Sequence, residues 1–226
     1  QLGTPDQTAS VRPEPPKAFG EFVGRDRNPI RRGHIEPQVV TPGETAKLIL
    51  TVAPEPTWHV YARADEAKAG LPFRPTLIAL TSTAGLQPKA PVTNSPIVTK
   101  EELKYHEGAT TWTIELPVPE DAKPGEYKID GYLGYQICTD KTCLSPKALQ
   151  FRGQVQVGPE KVAGTAPLGF DEAGYGSAMK ASASRIAWSD GHGGKLKVDA
   201  GVGSVNFASL PLMIGFSLLG GLILNL

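Results

Sequence analysis

Between residues 30 and 157 the chain alternates apolar and polar positions with a period of two. Ala46, Leu48, Leu50 and Val52 fall on one side of an extended chain and Lys47 and Thr51 on the other, with Ile49 the exception. Trp112, Ile114, Leu116 and Val118 alternate with Thr111, Thr113 and Glu115, and Leu149, Phe151, Val155 and Val157 with Gln150, Arg152, Gln154 and Gln156. Successive side chains of a strand point to opposite faces, so this period predicts half-buried antiparallel strands. Thr41-Pro42-Gly43-Glu44 and Lys123-Pro124-Gly125-Glu126 supply turns between them. About seven to nine short strands over this stretch predict an all-β domain, an immunoglobulin-like antiparallel β-sandwich.

The pattern is lost on both sides. Residues 1–29 carry Pro5, Pro13, Pro15, Pro16 and Pro29 among polar residues and read as a disordered, proline-rich lead-in. Residues 158–206 turn to Gly, Ala and Ser with scattered charge, which predicts a flexible linker with Asp171 to Trp188 as a short helix. Its Gly191-His192-Gly193-Gly194 run reads as a turn with a solvated histidine. Phe207 to Leu226 holds twenty residues without a charge, enough to cross a hydrocarbon layer roughly 30 Å thick, and is expected to begin a transmembrane helix, truncated at Leu226. Gly215, Gly220 and Gly221 would let that helix pack closely. Gln1 to Lys17 has no apolar h-region, so an exported chain would already have lost its signal peptide.

Composition narrows the function classes. At 226 residues and 40% hydrophobic the chain can bury a core, and 25 Gly with 21 Pro favour short strands and many turns. Lys and Arg number 23, as do Asp and Glu, so no basic surplus points to nucleic acid and no acidic surplus to a cationic partner.

Both cysteines lie in Tyr135-Gln136-Ile137-Cys138-Thr139-Asp140-Lys141-Thr142-Cys143-Leu144-Ser145-Pro146, with four residues between them. Thiols this close can form a disulfide if Thr139 to Thr142 make a turn, to which Thr-Asp-Lys-Thr is suited. Closing so small a ring stabilises the fold by only roughly 2 kcal/mol in the loop-entropy description. The pair is thus better suited to opening and closing than to stapling, although an inert structural disulfide fits the spacing equally. A metal site would have to recruit His59 or His106, neither at ligand spacing, and the C-x-x-C redox signature is absent. Along Gly125 to Ile137, residues Tyr127, Ile129, Leu133, Tyr135 and Ile137 share one parity, and Lys128, Asp130, Tyr132, Gln136 and Cys138 the other. Without a bulge, Cys138 leaves the strand on the face away from the core, where a partner would reach its sulfur.

The cysteine segment resembles the active-site segment of the N-terminal periplasmic domain of DsbD-type thiol:disulfide interchange proteins, with Tyr-Gln before the first cysteine and a proline after the second. Trp58-His59-Val60-Tyr61 and Gly70-Leu71-Pro72 are similar to the W-H-[IV]-Y and G-L-P motifs of that domain. Gly220-Gly221-Leu222-Ile223-Leu224-Asn225-Leu226 is similar to the start of the family's first membrane helix, whose next segment, Met-Pro-Cys, lies past Leu226. The resemblance implies a periplasmic domain at the bacterial inner membrane, a protein-disulfide reductase in which Cys138 and Cys143 cycle between dithiol and disulfide. It implies no metal or organic cofactor. Electrons would come from a membrane redox domain, and the family's thioredoxin-like C-terminal domain is likewise outside this chain. Partners implied are periplasmic disulfide isomerases, thioredoxin-like proteins of cytochrome c biogenesis, and copper-tolerance proteins. Cys143, on the far side of the turn, is expected to attack the partner. The family's cap-loop aromatic corresponds to Tyr105 within Leu103 to Gly108; Tyr135, Gln136 and Trp58 are candidate neighbours of the sulfurs, and Lys141 would favour a thiolate that Asp140 would oppose. The competing reading is a membrane-tethered immunoglobulin-like binding or structural module with an inert disulfide.

Overall fold

The computed structural model describes residues 19–24, 29–67 and 73–189. Its strands are β1 (Gly20–Val23), β2 (Ile30–Glu36), β3 (Thr45–Ala53), β4 (His59–Tyr61), β5 (Leu77–Ser82), β6 (Val92–Thr93) and β7 (Val98–Lys100). There follow β8 (Leu103–Glu107), β9 (Thr110–Pro117), β10 (Gly125–Tyr135), β11 (Ile137–Cys138), β12 (Lys147–Val157), β13 (Ala166–Pro167) and β14 (Gly169–Gly174), then the helix α1 (Tyr175–Ala183). All strand pairs within the sheets are antiparallel.

The first sheet runs β1-β2-β3-β9-β6, with β13 also paired to β2; the second runs β14-β12-β10-β5; the third, which carries Cys138, runs β11-β4-β8-β7. Strands β3 and β9 bury every second residue, as the sequence pattern requires. Their inward side chains Leu48, Leu50, Val52, Trp112, Ile114 and Leu116 meet Ile129, Leu133, Phe151, Val155 and Val157 from the second sheet in one core. Burying each such side chain contributes roughly 1.5–3 kcal/mol. This is the all-β, immunoglobulin-like sandwich that the alternation implies.

Three elements depart from the sequence expectation. Phe19 and β1 fall inside the stretch read as a disordered lead-in, yet Gly20 to Val23 pair with Gly33 to Ile30 of β2. The β1–β2 hairpin is fixed by Arg31, buried between the Phe22 and Tyr135 rings at 4.8 and 5.6 Å. Residues 158–189, read as linker, complete the fold: β14 pairs along β12 from Lys147↔Gly174 to Arg152↔Gly169. The expected helix in this segment is α1, shorter than the span from Asp171 to Trp188. Third, β2 to β12 place eleven strands where about seven to nine were counted, because β4, β6, β7 and β11 are only two or three residues long. The remainder of the lead-in, Gly70-Leu71-Pro72, the rest of the linker and the transmembrane expectation at 207–226 lie outside the described residues. Among the described residues no helix is long and apolar enough to cross a membrane.

Candidate functional site

The path to the disulfide begins with β10, whose Tyr135 is buried in the main core beneath Arg31. Gln136 separates it from β11 and is itself buried. Its side-chain oxygen accepts from the Arg74 N–H at 2.8 Å, and its amide donates to the Leu144 carbonyl at 3.1 Å. One amide thereby ties β11 both to the segment before β5 and to the strand that returns from the turn.

Thr139-Asp140-Lys141-Thr142 forms the turn. Thr139 N–H donates to the Thr142 carbonyl at 2.8 Å, and the Thr139 hydroxyl accepts from the N–H groups of Lys141 and Thr142 at 3.2 and 3.1 Å. Leu144 N–H closes on the Ile137 carbonyl at 3.0 Å. Cys138 and Cys143 thus face each other as an isolated antiparallel bridge, their Cα atoms 4.0 Å apart, joined by a disulfide.

The backbone follows the expected parity, but solvent does not reach the face on which Cys138 lies. Ile137 and Val60 join the main core, and Cys138 lies on the opposite face of the ladder, as expected. That face is not open. Cys138 has no exposed surface and is covered by Tyr61 and Tyr105, with Phe73, Val98 and Leu103 packed around them. The sulfur expected to be reachable is sealed by this separate, smaller cluster, whereas Cys143 is half-buried.

Cys143 lines a cavity of about 430 Å³ together with His59, Tyr61, Phe73 and Tyr105. Lys100, Glu101, Asp140 and Lys141 line it as well. Lys100 donates to Asp140 at 3.1 Å, and this bond holds the Lys100 ammonium pKa above its ordinary value. The contact ties the hairpin tip to β7. Glu101 occupies the β7–β8 turn at φ 57°, a left-handed conformation favouring glycine.

The rings pack together: His59 tilted on Tyr105 at 4.2 Å, His59 edge-on to Tyr61 at 5.4 Å, and Tyr61 stacked on Phe73 at 5.1 Å. Burial raises the Tyr61 phenol pKa to about 12. Burial lowers that of His59, against the opposing pull of Asp140 and Glu107.

Of the residues named from the sequence, Tyr105 is in the cluster over Cys138, and Gln136 clamps the disulfide's flanks through backbone groups. Trp58 and Tyr135 pack with the main core and belong to its face of the ladder. His106 is also on that face, its ring 6.1 Å from Trp112 and its Nδ1 3.0 Å from the Pro96 carbonyl. His106 therefore faces the main core and His59 the side of the sulfurs, so the two do not converge on one site. Among the described residues no cluster of three or more His, Cys, Asp or Glu side chains could hold a metal. The sequence reading missed Tyr61 and Phe73. Tyr61 was accessible from the two-residue spacing that puts it on the His59 face of β4; Phe73 has no periodic signal.

No family model matches the chain, and no curated protein matches it. Among solved structures it is similar to the N-terminal periplasmic domain of ScsB from Proteus mirabilis, at 15% identity and a TM-score of 0.37, over 64% of this chain. It spans about half, 52%, of that structure's length. It also matches a family 123 glycoside hydrolase from Clostridium perfringens at 9% identity and a TM-score of 0.25, over 56% of this chain and 22% of that one.

Proposed function

We propose that the domain is a thiol–disulfide exchange module, a protein-disulfide reductase whose working groups are Cys138 and Cys143. The observation that carries this reading is the asymmetry of the disulfide: one sulfur sealed under aromatic rings, the other lining an open cavity. Exchange proceeds only by direct attack of a thiolate along a clear approach to a sulfur. Cys143 has that approach.

In the reduced state the Cys143 thiolate attacks a partner disulfide, forming a mixed disulfide while the partner's other sulfur leaves as a thiolate and is protonated. Cys138 then attacks Cys143 Sγ, the bond to the partner breaks, and the Cys138–Cys143 disulfide returns. Two electrons pass to the partner, and a dithiol of a membrane redox domain restores them. The cysteine-segment, W-H-V-Y and G-L-P resemblances support partners among periplasmic thioredoxin-like and disulfide isomerase proteins, and a site of action outside the bacterial inner membrane with 207–226 as tether.

Cys138→Ser and Cys143→Ser chains incubated with periplasmic extract test the assignment. Cys138→Ser is expected to accumulate mixed disulfides through Cys143, and Cys143→Ser few or none. If both variants fold and neither captures a protein, the reading fails. The complete burial of Cys138 favours the alternative, an inert disulfide. A measured potential separates the two, since structural disulfides of secreted proteins lie below about −300 mV and a working pair is expected above that.

A further inference from the structure

The ladder of the third sheet sets three chemical groups in a row. Cys138 on β11 pairs with His59 on β4, and His59 pairs in turn with Glu107 on β8. Directly opposed residues share a face, with Cβ atoms about 4.5–5.5 Å apart. The order across the strands is therefore thiol, imidazole, carboxylate. A nucleophile beside a base that a third group orients is a recurring arrangement of covalent catalysis.

We propose that His59 takes the proton from the Cys138 thiol in the resolving step, with Glu107 the carboxylate opposite it on β8. The inference rests on the exchange reading above and adds a residue to it. The need arises from burial. Cys138 lies among Tyr61, Tyr105, Phe73 and Leu103, where a thiolate is unfavourable and a free thiol resists ionisation. His59 is 7% exposed and lines the same cavity as Cys143.

The surrounding groups serve less well as the acceptor. Tyr61 beside it on β4 is pushed up to about 12 and stays a neutral phenol, and Tyr105 on β8 packs tilted on the imidazole. Lys100 on β7 and Asp140 at the hairpin tip are engaged with each other, and Glu101 and Lys141 are exposed. Burial lowers the His59 pKa from 6.5, so the imidazole is neutral and ready to accept a proton at neutral pH.

The step balances. The Cys138 S–H proton passes to His59, and the sulfur's electron pair forms the bond to Cys143 Sγ. The bond from Cys143 to the partner sulfur breaks. That sulfur leaves with the pair and takes up a proton, from the imidazolium or from water.

The test follows the reduced full chain reacting with the chromogenic disulfide dithiobis(nitrobenzoate), which releases one coloured thiolate on capture and a second on ring closure. His59→Phe is expected to slow closure about a hundredfold relative to capture in the same chain, the lower end of general-base effects. Equal closure rates and pH profiles in His59→Phe and the unaltered chain would overturn the role of His59 alone. A chain with the native His59 that captures and never closes would overturn the exchange reading together with it. The pH profile of that native chain decides independently of how the variant folds. Closure should rise through an inflection below 6.5 and then level off, and Glu107→Gln should move the inflection lower, because the carboxylate raises the imidazole pKa. A closure rate that keeps rising into the thiol range with no such inflection rules the proposal out.

Discussion

Gln136 illustrates how one side chain can hold both flanks of a disulfide. Both ends of its amide are used, one by Arg74 N–H and one by the Leu144 carbonyl. Gln136→Ala leaves both backbone groups unpartnered beside a buried position, and such a loss costs about 1–3 kcal/mol. The expected outcome is a lower urea midpoint and faster reduction of the Cys138–Cys143 disulfide by dithiothreitol, since the return strand after Cys143 is no longer tied down. At this scale much was legible in the sequence: the cysteine pair, its turn, and the parity that sends Ile137 and Cys138 to opposite faces. The burial of Cys138 was not legible. It comes from Tyr61, Tyr105 and Phe73, which are remote in sequence and are brought together only by the β4–β8 pairing.

Among the elements, the long strands were readable because each has one buried and one wet face. β3 and β9 show this without interruption. β4, β7 and β11 are too short to show a period, so the sheet that carries the site was invisible even though its residues were quoted. The region after Val157 was hidden for another reason. Besides Tyr175, helix α1 buries Ala178, Ala181 and Ser182, small residues that make no apolar stripe, and it packs closely because Gly134 offers a bare backbone beneath it. A Cβ at Gly134 would stand 2.8 Å from the Ala178 Cβ and 3.3 Å from the Tyr175 ring. Gly134→Val is therefore expected to destabilise by about 1–3 kcal/mol through overpacking. Hydrogen exchange should show the loss of protection concentrated in residues 175–183 and smaller in β3.

For the whole molecule, two buried phenols set an alkaline limit. Tyr175 donates to the Pro75 carbonyl at 2.6 Å, and burial raises its pKa; the Tyr61 pKa is raised to about 12. The fold favours the protonated form in both. Their contribution is fully present below the ordinary tyrosine pKa of 10.0 and is lost as pH rises from there through the higher folded-state values. Thermal midpoints should be insensitive to these groups at neutral pH and fall above pH 10. Tyr61→Phe with Tyr175→Phe should flatten that decline while lowering the neutral midpoint through the lost Tyr175 bond.

The ladder that carries Cys138 also separates it from the sandwich. On one side Val60 and Ile137 lock into the core; on the other the rings close over the sulfur. A rearrangement of those rings would disturb a handful of side chains in a cluster separate from the main core. The cover over Cys138 can therefore vary, by substitution at Phe73 or Leu103, while the main core keeps its packing.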